Sequence, residues 1–217
     1  MTKTGEMTRI RYDEGCLVAH ALNVVGDRWA LLVVRELMLT AKRFQAIRTG
    51  LPGITPGVLT QRLGQLVHAG VVQHDANLGA YGLTESGRGL LPVLQAMCRW
   101  GASHPGHDPR RFISPTALMI SMTVMIDTAA ARGRTVAAGF RCGHEAFLLR
   151  LNGDGILRPE AVSDMTADFV LRGDGNNLAI AVYGPMPLRD LAEGWVVEID
   201  GDTCAAQQFV DLFRLSS

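Results

Sequence analysis

The stretch Thr55-Pro56-Gly-Val-Leu-Thr-Gln-Arg-Leu-Gly-Gln-Leu-Val-His-Ala69, followed by Gly70, decides the fold of the first half of the chain. A hydroxyl residue before a proline is a strong helix start, because the hydroxyl caps the first turn and proline needs no donor there. The leucines recur at helical spacing and predict one buried face, while the opposite face is polar. We therefore expect a helix over residues 56–69 that presents a polar face to solvent.

The segments on either side place this helix in a larger module. Before it, residues 16–25, 27–37 and 44–48 have apolar positions at helical spacing. After it, residues 71–83 alternate like a hairpin, and Thr84 caps a last helix that runs to about Trp100. Helices, a solvent-facing polar helix, a hairpin and a closing helix follow one another as in a winged helix-turn-helix, whose polar helix enters the major groove of DNA.

The composition of the chain and a segment rich in proline and glycine indicate a two-domain globular protein. The chain has 217 residues, of which 47% are hydrophobic and 19% charged, and this length suits two domains of ordinary size. A stretch rich in proline and glycine lies at 101–115. We predict a mainly-α winged helix-turn-helix domain over 1–105, a linker over 106–115 and an α+β domain over 116–217.

Charge is divided unevenly between the two predicted domains. Residues 1–105 hold 11 Lys and Arg against 7 Asp and Glu, whereas residues 106–217 hold 10 against 14. Net charges of +4 and −4 follow from these counts, although the whole chain is neutral. The first half is therefore expected to meet a polyanion such as double-stranded DNA.

Several classes of protein are disfavoured by what the sequence lacks. The four cysteines form no C-x-x-C pair, the first fifteen residues have no apolar core, and the longest apolar run, 117–126, is too short to span a bilayer. We expect a cytoplasmic protein without a membrane segment. Motifs for hydrolases, phosphate-binding loops and zinc sites are missing, so we expect no catalytic activity, no cofactor and no metal.

Three sequence motifs in the first half resemble those of a known protein family. They are Cys16-Leu-Val-Ala-His-Ala-Leu-Asn-Val-Val-Gly-Asp-Arg-Trp29, Leu51-Pro-Gly-Ile-Thr-Pro-Gly-Val-Leu-Thr-Gln-Arg-Leu63 and Leu83-Thr-Glu-Ser-Gly87. In this order and spacing they resemble the HxlR-type family of bacterial winged-helix regulators. The resemblance implies a homodimer that binds a two-fold operator, with the outer helices as the dimer interface. The chain departs from the family pattern at Gly57 and Gly64, where the family has side chains that face DNA, and in its wing, which lacks arginine.

The predicted DNA contacts lie on the polar helix, the segment before it and the wing. Arg62 suits guanine, Gln61 or Gln65 suits adenine, and Thr60 suits phosphate or a base edge. Lys42 and Arg43, with Arg48, are expected to contact phosphates. The full predicted set is Lys42, Arg43, Thr55, Pro56, Gly57, Thr60, Gln61, Arg62, Gln65, His74 and Tyr81.

The second half resembles a sterol-carrier-type domain. The features that carry this resemblance are the strand Ala167-Asp-Phe-Val-Leu-Arg-Gly173, the pair Gly194-Trp195 and the motif Phe209-x-x-Leu-Phe213. Such a domain encloses an apolar cavity, and flexible methionines suit a cavity that adapts to its ligand. Ordinary core packing and a role in dimerisation are the alternatives. The predicted lining is Met119, Met122, Met125, Ile180, Trp195, Phe209 and Phe213.

These observations predict a dimeric transcriptional repressor that binds a palindromic operator through helix 56–69 and wing 71–83. A small apolar ligand in the second domain would modulate it. One alternative is a regulator that senses oxidants or electrophiles through Cys16, which needs nearby cations to lower the thiol pKa. Cys16 could instead be a buried structural thiol. Another alternative is a lipid- or small-molecule-binding protein whose DNA-binding half is vestigial.

Overall fold

The computed structural model describes residues 11–215, and its first half is built mainly from helices. A three-stranded sheet interrupts them, so the order of elements matches a winged helix-turn-helix. The elements of this half are α1 (Leu17–Val25), α2 (Ala30–Glu36), β1 (Lys42–Arg43), α3 (Phe44–Thr49), α4 (Pro56–His68), β2 (Val72–Asp75), β3 (Ala80–Leu83), α5 (Glu85–Arg88) and α6 (Leu91–Ser103).

Helix α4 forms as the sequence predicts. The Thr55 hydroxyl oxygen accepts a hydrogen bond from the backbone N–H of Val58 at 3.3 Å, and Pro56 occupies the first turn. Gly70 follows the helix with a φ of 69°, a conformation that suits glycine. The apolar part of the buried face consists of Leu59, Leu63 and Leu66.

The wing is the hairpin of β2 and β3, which pair antiparallel along their whole length. Its turn is closed by the Asp75 carboxylate, which accepts hydrogen bonds from the backbone N–H groups of Asn77 and Leu78. Strand β1 pairs with the other edge of β3 and gives the order β1-β3-β2. A strand of two residues has too little pattern to be predicted from sequence.

The single helix expected from Thr84 to Trp100 is divided into α5 and α6. The Thr84 hydroxyl caps α5 by accepting from the backbone N–H of Gly87 at 3.1 Å. Pro92 lies in the first turn of α6, and proline lacks the N–H that would continue the previous helix. The prediction of one continuous helix was therefore wrong.

The second half combines a sheet with helices. The sequence Asn152-Gly-Asp-Gly155 is typical of a hairpin turn. The turn comes later, because the strand continues to Asp154, whose carboxylate accepts a hydrogen bond from the backbone N–H of Ile156. The elements are α7 (Pro115–Met125), α8 (Thr128–Ala131), β4 (Arg132–Cys142), β5 (Glu145–Asp154), β6 (Arg158–Ala161), β7 (Phe169–Arg172), α9 (Gly175–Tyr183), α10 (Leu188–Glu193), β8 (Glu198–Gly201) and α11 (Thr203–Val210).

The sheet of the second half has five strands in the order β6-β5-β4-β7-β8. Strands β4 and β7 run parallel, and the other neighbours are antiparallel. This mixed sheet with its helices confirms the expectation of an α+β region. The longest pairing, β4 with β5, turns at Gly143, whose φ is 57°.

Each half has an apolar core of its own. The first core contains Val33, Ile47 and Leu59, and the second contains Phe140 and Phe169. Helix α7 lies in the second core and also contacts α2 and α6 of the first half. The halves therefore meet along α7.

No single helix in the part of the chain that the structure describes is long and apolar enough to cross a membrane. Helices α1 and α2 reach the required length only as a pair, and that pair is bent by 71°. The apolar helix α7 has 11 residues, and most of them are buried.

Candidate nucleic-acid interface

The outward face of α4 is the polar surface that the sequence predicts. Gly57, Thr60 and Gln61 are exposed there, and Gln65 is half-buried. The Thr60 hydroxyl donates to the backbone oxygen of Pro56 at 2.9 Å, so its oxygen can still accept a hydrogen bond. A hypothetical Cβ on Gly57 or on Gly64 would meet no atom within 4 Å. The face is accessible but carries few side chains that can hold DNA.

Arg62 does not belong to that face. Its side chain is buried, with the whole residue only 8% exposed, and one terminal nitrogen lies 2.8 Å from the Asp27 carboxylate. The other terminal nitrogen donates to the amide oxygen of Gln65, and Nε has no partner among the described residues. The prediction that Arg62 reads guanine is wrong for this conformation, because the guanidinium is used to fix α4 against the turn before α2.

Lys42 is also not available for DNA. The residue is 6% exposed, and its ammonium group lies 3.3 Å from a Glu36 carboxylate oxygen and 2.5 Å from one of Glu145. The same ammonium donates to the Thr116 hydroxyl at 2.9 Å. The prediction of a phosphate contact at Lys42 is wrong, because a buried charge needs partners and these partners hold it inside the protein.

The Lys42 contacts belong to a polar cluster that joins the two halves. Glu36 is fully buried, and its carboxylate accepts from Arg35 at 2.8 Å and from the Ser114 hydroxyl at 2.6 Å. Because Ser114 and Glu145 come from the second half of the chain, the first half is held to it by charge-assisted hydrogen bonds. These are among the stronger polar contacts in proteins.

The remaining cations near α4 are free to meet phosphate. Arg43 and Arg48 are exposed, and among the described residues Arg48 is engaged only by a 3.3 Å hydrogen bond to Gln45 within α3. The predicted contact set left out Arg11 and His68, which line a hollow of about 550 Å³ beside Gln61 and Gln65. The position of His68 on the polar side of the helix pattern is consistent with this place. Arg11 precedes the first helix, so no periodic pattern could have placed it there.

The wing offers little positive charge. Residues 71–83 contain no lysine or arginine. His74 stacks on Tyr81 with ring centroids 4.4 Å apart, and this contact fixes both rings on the hairpin. The wing can therefore contribute polar and aromatic contacts to DNA, but no lysine or arginine.

Two helices other than α4 expose apolar faces. On α1, Leu17 is 85% exposed, and Val18 and Leu22 are also exposed. On α6, Trp100 is 67% exposed, with Val93 and Met97 exposed as well. Apolar faces of this kind mark contact sites for other proteins.

The cysteines fall into two groups by exposure. Cys16 and Cys204 are exposed, and Cys16 occupies the capping position before α1. Burial raises the pKa of the Cys98 and Cys142 thiols and so disfavours their reactive thiolate form. The alternative of Cys16 as a buried structural thiol is wrong. Within residues 11–215, no three His, Cys, Asp or Glu side chains are grouped as metal ligands.

The ligand cavity expected in the second half is filled by the side chains that were to line it. Met119, Met122 and Phe209 are fully buried in the core, where Phe209 contacts Phe213 at a centroid distance of 5.1 Å. Met125 is buried as well. Ile180 and Trp195 were wrongly placed in the lining, because both are exposed on the surface. The set therefore forms a packed core and two surface residues.

The order of elements and the accessible α4 face define a winged helix-turn-helix DNA-binding module. A family model described as HxlR-like helix-turn-helix matches residues 24–108. A helix-turn-helix transcriptional regulator of Methanothermobacter thermautotrophicus is 33% identical over 98 residues, which are 43% of this chain and 75% of the relative. The regulator YybR of Bacillus subtilis is 34% identical over 96 residues, 42% of this chain and 77% of the relative.

Among solved structures, the quinone-bound form of YodB from B. subtilis is similar over 41% of this chain and 99% of its own, with 33% identity and a TM-score of 0.38. The chain belongs to the HxlR-like helix-turn-helix family, as the coverage and identity of its relatives show. It is a transcriptional regulator of this type. The matched residues lie in the first half, and most of the second half lies outside them.

Proposed function

We propose that two copies of the chain form a dimer that binds a two-fold DNA operator and represses transcription by occupying it. One recognition helix covers a half-site only, so a dimer would place two α4 helices about 34–36 Å apart on successive major grooves. The observation that supports this most is the accessible polar face of α4 beside two exposed apolar helix faces.

The apolar faces of α1 and α6 form the dimer interface in this proposal. Leu17, Val18 and Trp100 would leave water when the two copies meet, and burial of apolar area stabilises association by about 25 cal/mol per Å² before association costs. The exposed side chains assigned to the interface are not among the residues assigned to DNA, so in this proposal the outward side of α4 stays open for DNA.

Base recognition is assigned to Gln61, with Thr60 beside it. An exposed glutamine amide can both donate to and accept from the major-groove edge of adenine. Arg43 and Arg48 supply phosphate contacts that position α4 without reading sequence. Because Lys42 and Arg62 are internal, we expect fewer phosphate contacts than the charge of the first half suggests.

A fluorescence anisotropy titration tests this proposal with DNA from the region upstream of the chain's own gene. Gln61→Ala should weaken binding by about 1–3 kcal/mol. Gln208→Ala changes an exposed residue of the same type in the second half and should leave affinity unchanged. Arg43→Gln should lower the slope of log affinity against log salt by about 0.9.

If Gln61→Ala binds DNA as tightly as the wild type, the outward face of α4 is not the surface that reads the bases. Failure of the chain to bind any upstream DNA would favour the alternative of a small-molecule-binding protein with a vestigial DNA-binding half. The oligomeric state is measured separately, so a monomer that binds DNA would overturn the dimer alone.

A second candidate function is regulation through oxidation or alkylation of Cys16. Its sulfur is exposed next to Leu17 in the proposed dimer interface, so a modification there would alter how two copies meet. Iodoacetamide should label Cys16 and Cys204 before Cys98 and Cys142, as followed by peptide mass spectrometry. If DNA affinity falls after labelling in the wild type and equally in Cys16→Ser, the effect does not come from Cys16.

A further inference from the structure

A groove of about 720 Å³ lies between the two halves of the protein. Helix α3 forms one wall through Ala46 and Thr49, the connecting segment contributes Phe112, and the end of β4 contributes Arg141 and Cys142. The lining is predominantly apolar, and its volume is within the usual range of about 300–1,000 Å³ for small-molecule sites. It is separate from the packed core in which the sequence had suggested a cavity.

Arg141 is the unusual side chain of this groove. Its Nε is buried without a hydrogen-bond partner, and its guanidinium makes no ion pair within the described part of the chain. The other cations that line the groove are engaged, Lys42 by Glu36 and Glu145, and Arg172 by Asp200 at 3.0 Å. A buried donor without an acceptor is unfavourable, and an anion placed beside it would supply the missing acceptor.

The carboxylates of the groove already have partners. Glu145 is bound by Lys42, and the Asp174 carboxylate accepts from the backbone N–H of Asn177 at 2.8 Å to cap α9. Burial keeps the neighbouring Cys142 thiol neutral by raising its pKa. Arg141 is thus left as the charged group of the groove whose partner is missing among the residues described.

We propose that this groove binds a small organic anion, whose carboxylate pairs with Arg141 and whose apolar body lies against Phe112 and Ala46. An arginine fork can hold a carboxylate through two parallel hydrogen bonds. A ligand with charge at one end and an apolar body matches a groove whose exposed lining is mostly apolar and in which Arg141 is the cation without an ion pair among the described residues.

Such a ligand would act on the regulator proposed above, so this part of the inference rests on that function. It would contact α3, which belongs to the helix-turn-helix, and the end of β4, which belongs to the second half. Lys42 also lines the groove while joining Glu36 to Glu145 across the two halves. A ligand that favours one arrangement of the halves would change DNA affinity. A coupling free energy of ordinary size between two binding sites corresponds to a change of about 5- to 150-fold.

Isothermal titration calorimetry on the full chain without DNA tests the site, with 2-naphthoate, its neutral analogue 2-naphthamide and inorganic phosphate as probes. 2-Naphthoate should bind about tenfold more tightly than 2-naphthamide, because only the carboxylate forms charge-assisted hydrogen bonds. Phosphate should bind more weakly than 2-naphthoate, because it lacks the apolar body.

Arg141→Gln should remove the preference for 2-naphthoate, and Arg141→Lys should retain part of it. Arg189→Gln changes an exposed arginine that pairs with Glu193 on α10, and it should behave as the wild type. Circular dichroism checks that each variant is folded. Arg141→Gln and Arg189→Gln are the same substitution at different positions. A loss of the preference for 2-naphthoate in Arg141→Gln alone therefore places the site at Arg141.

Equal binding of the acid and the amide, no binding of 2-naphthoate at millimolar concentration, or an unchanged preference in Arg141→Gln would overturn the site. If phosphate binds more tightly than 2-naphthoate, the site prefers an inorganic anion, and the proposed class of ligand is overturned. Anisotropy with DNA is then measured with and without 2-naphthoate. Binding in the groove without any shift in DNA affinity would overturn the regulatory role alone, and the proposed DNA-binding function would stand.

Discussion

A terminal nitrogen of Arg62 lies 2.8 Å from a carboxylate oxygen of Asp27, and this ion pair fastens the recognition helix to the turn before α2. The Asp27 carboxylate also accepts from the backbone N–H of Trp29 at 2.9 Å. The position of α4 therefore depends on a residue that lies two helices earlier in the chain. An arginine on the DNA-binding helix has a structural role here.

We expect Arg62→Ala to lower the free energy of unfolding by about 1–3 kcal/mol, because Asp27 would lose its charged partner. Asp27 is partly exposed, so the loss should stay below that of a fully buried pair. Urea denaturation of both single variants and the double variant measures their coupling, with Arg48→Ala as the surface control. If Arg62→Ala keeps its stability but loses DNA binding, Arg62 must separate from Asp27 in the complex and contact a base itself.

Lys42→Met tests the polar cluster between the halves. We expect a loss of about 3 kcal/mol in the free energy of unfolding, because Glu36 stays fully buried with one fewer cation. Glu145→Gln should cost less, since that side chain is partly exposed. If Lys42→Met instead keeps its stability and lowers the salt dependence of DNA binding, Lys42 is a phosphate contact after all.

The proposed dimer interface predicts that charge on its apolar faces separates the subunits. Leu17→Glu and Trp100→Glu should each shift the equilibrium from dimer to monomer, because a carboxylate would have to leave water in the interface. Sedimentation velocity at micromolar concentration measures the shift. Trp195→Glu is the matched control, because Trp195 is 89% exposed but lies outside this surface.

A dimer unaffected by Leu17→Glu and Trp100→Glu would exclude the assigned interface. Dissociation by Trp195→Glu alone would place the contact on the second half instead.

The core of the second half predicts the effect of a larger side chain at Met122. Met122 is fully buried, so Met122→Trp should lower the free energy of unfolding by about 1–3 kcal/mol through overpacking. Met186→Trp, at an exposed position, should have little effect. Thermal denaturation provides the comparison. If Met122→Trp is instead more stable than the wild type, a void lies beside Met122, and the ligand cavity predicted from the sequence would be supported.

The sequence predicts those parts of the fold that depend on neighbouring residues. Thr55 and Pro56 place the start of α4 correctly, and the leucine spacing identifies its buried face. Arg62 follows Leu59 by three residues, which puts it beside the buried face. Its pairing with Asp27 is a tertiary contact that helix periodicity does not contain.

Long-range geometry also explains the other errors of site prediction. Lys42 is buried because Glu145, about a hundred residues later, pairs with its ammonium group. Trp195 resembles a core residue by type, but its positive φ of 58° and its exposure place it on a surface turn. The interdomain groove was missed for the same reason, because its walls come from segments that are far apart in the chain.

The open positions on α4 have an evolutionary consequence. Gly57 and Gly64 face outward, and a Cβ at either would meet nothing within 4 Å. Side chains could be added there one mutation at a time without disturbing the core, and replacing glycine in a helix also favours helix formation. Descendants of this regulator could thus acquire new operators from a helix whose scaffold stays unchanged, and duplicated copies could diverge in the genes they control while they keep a common fold.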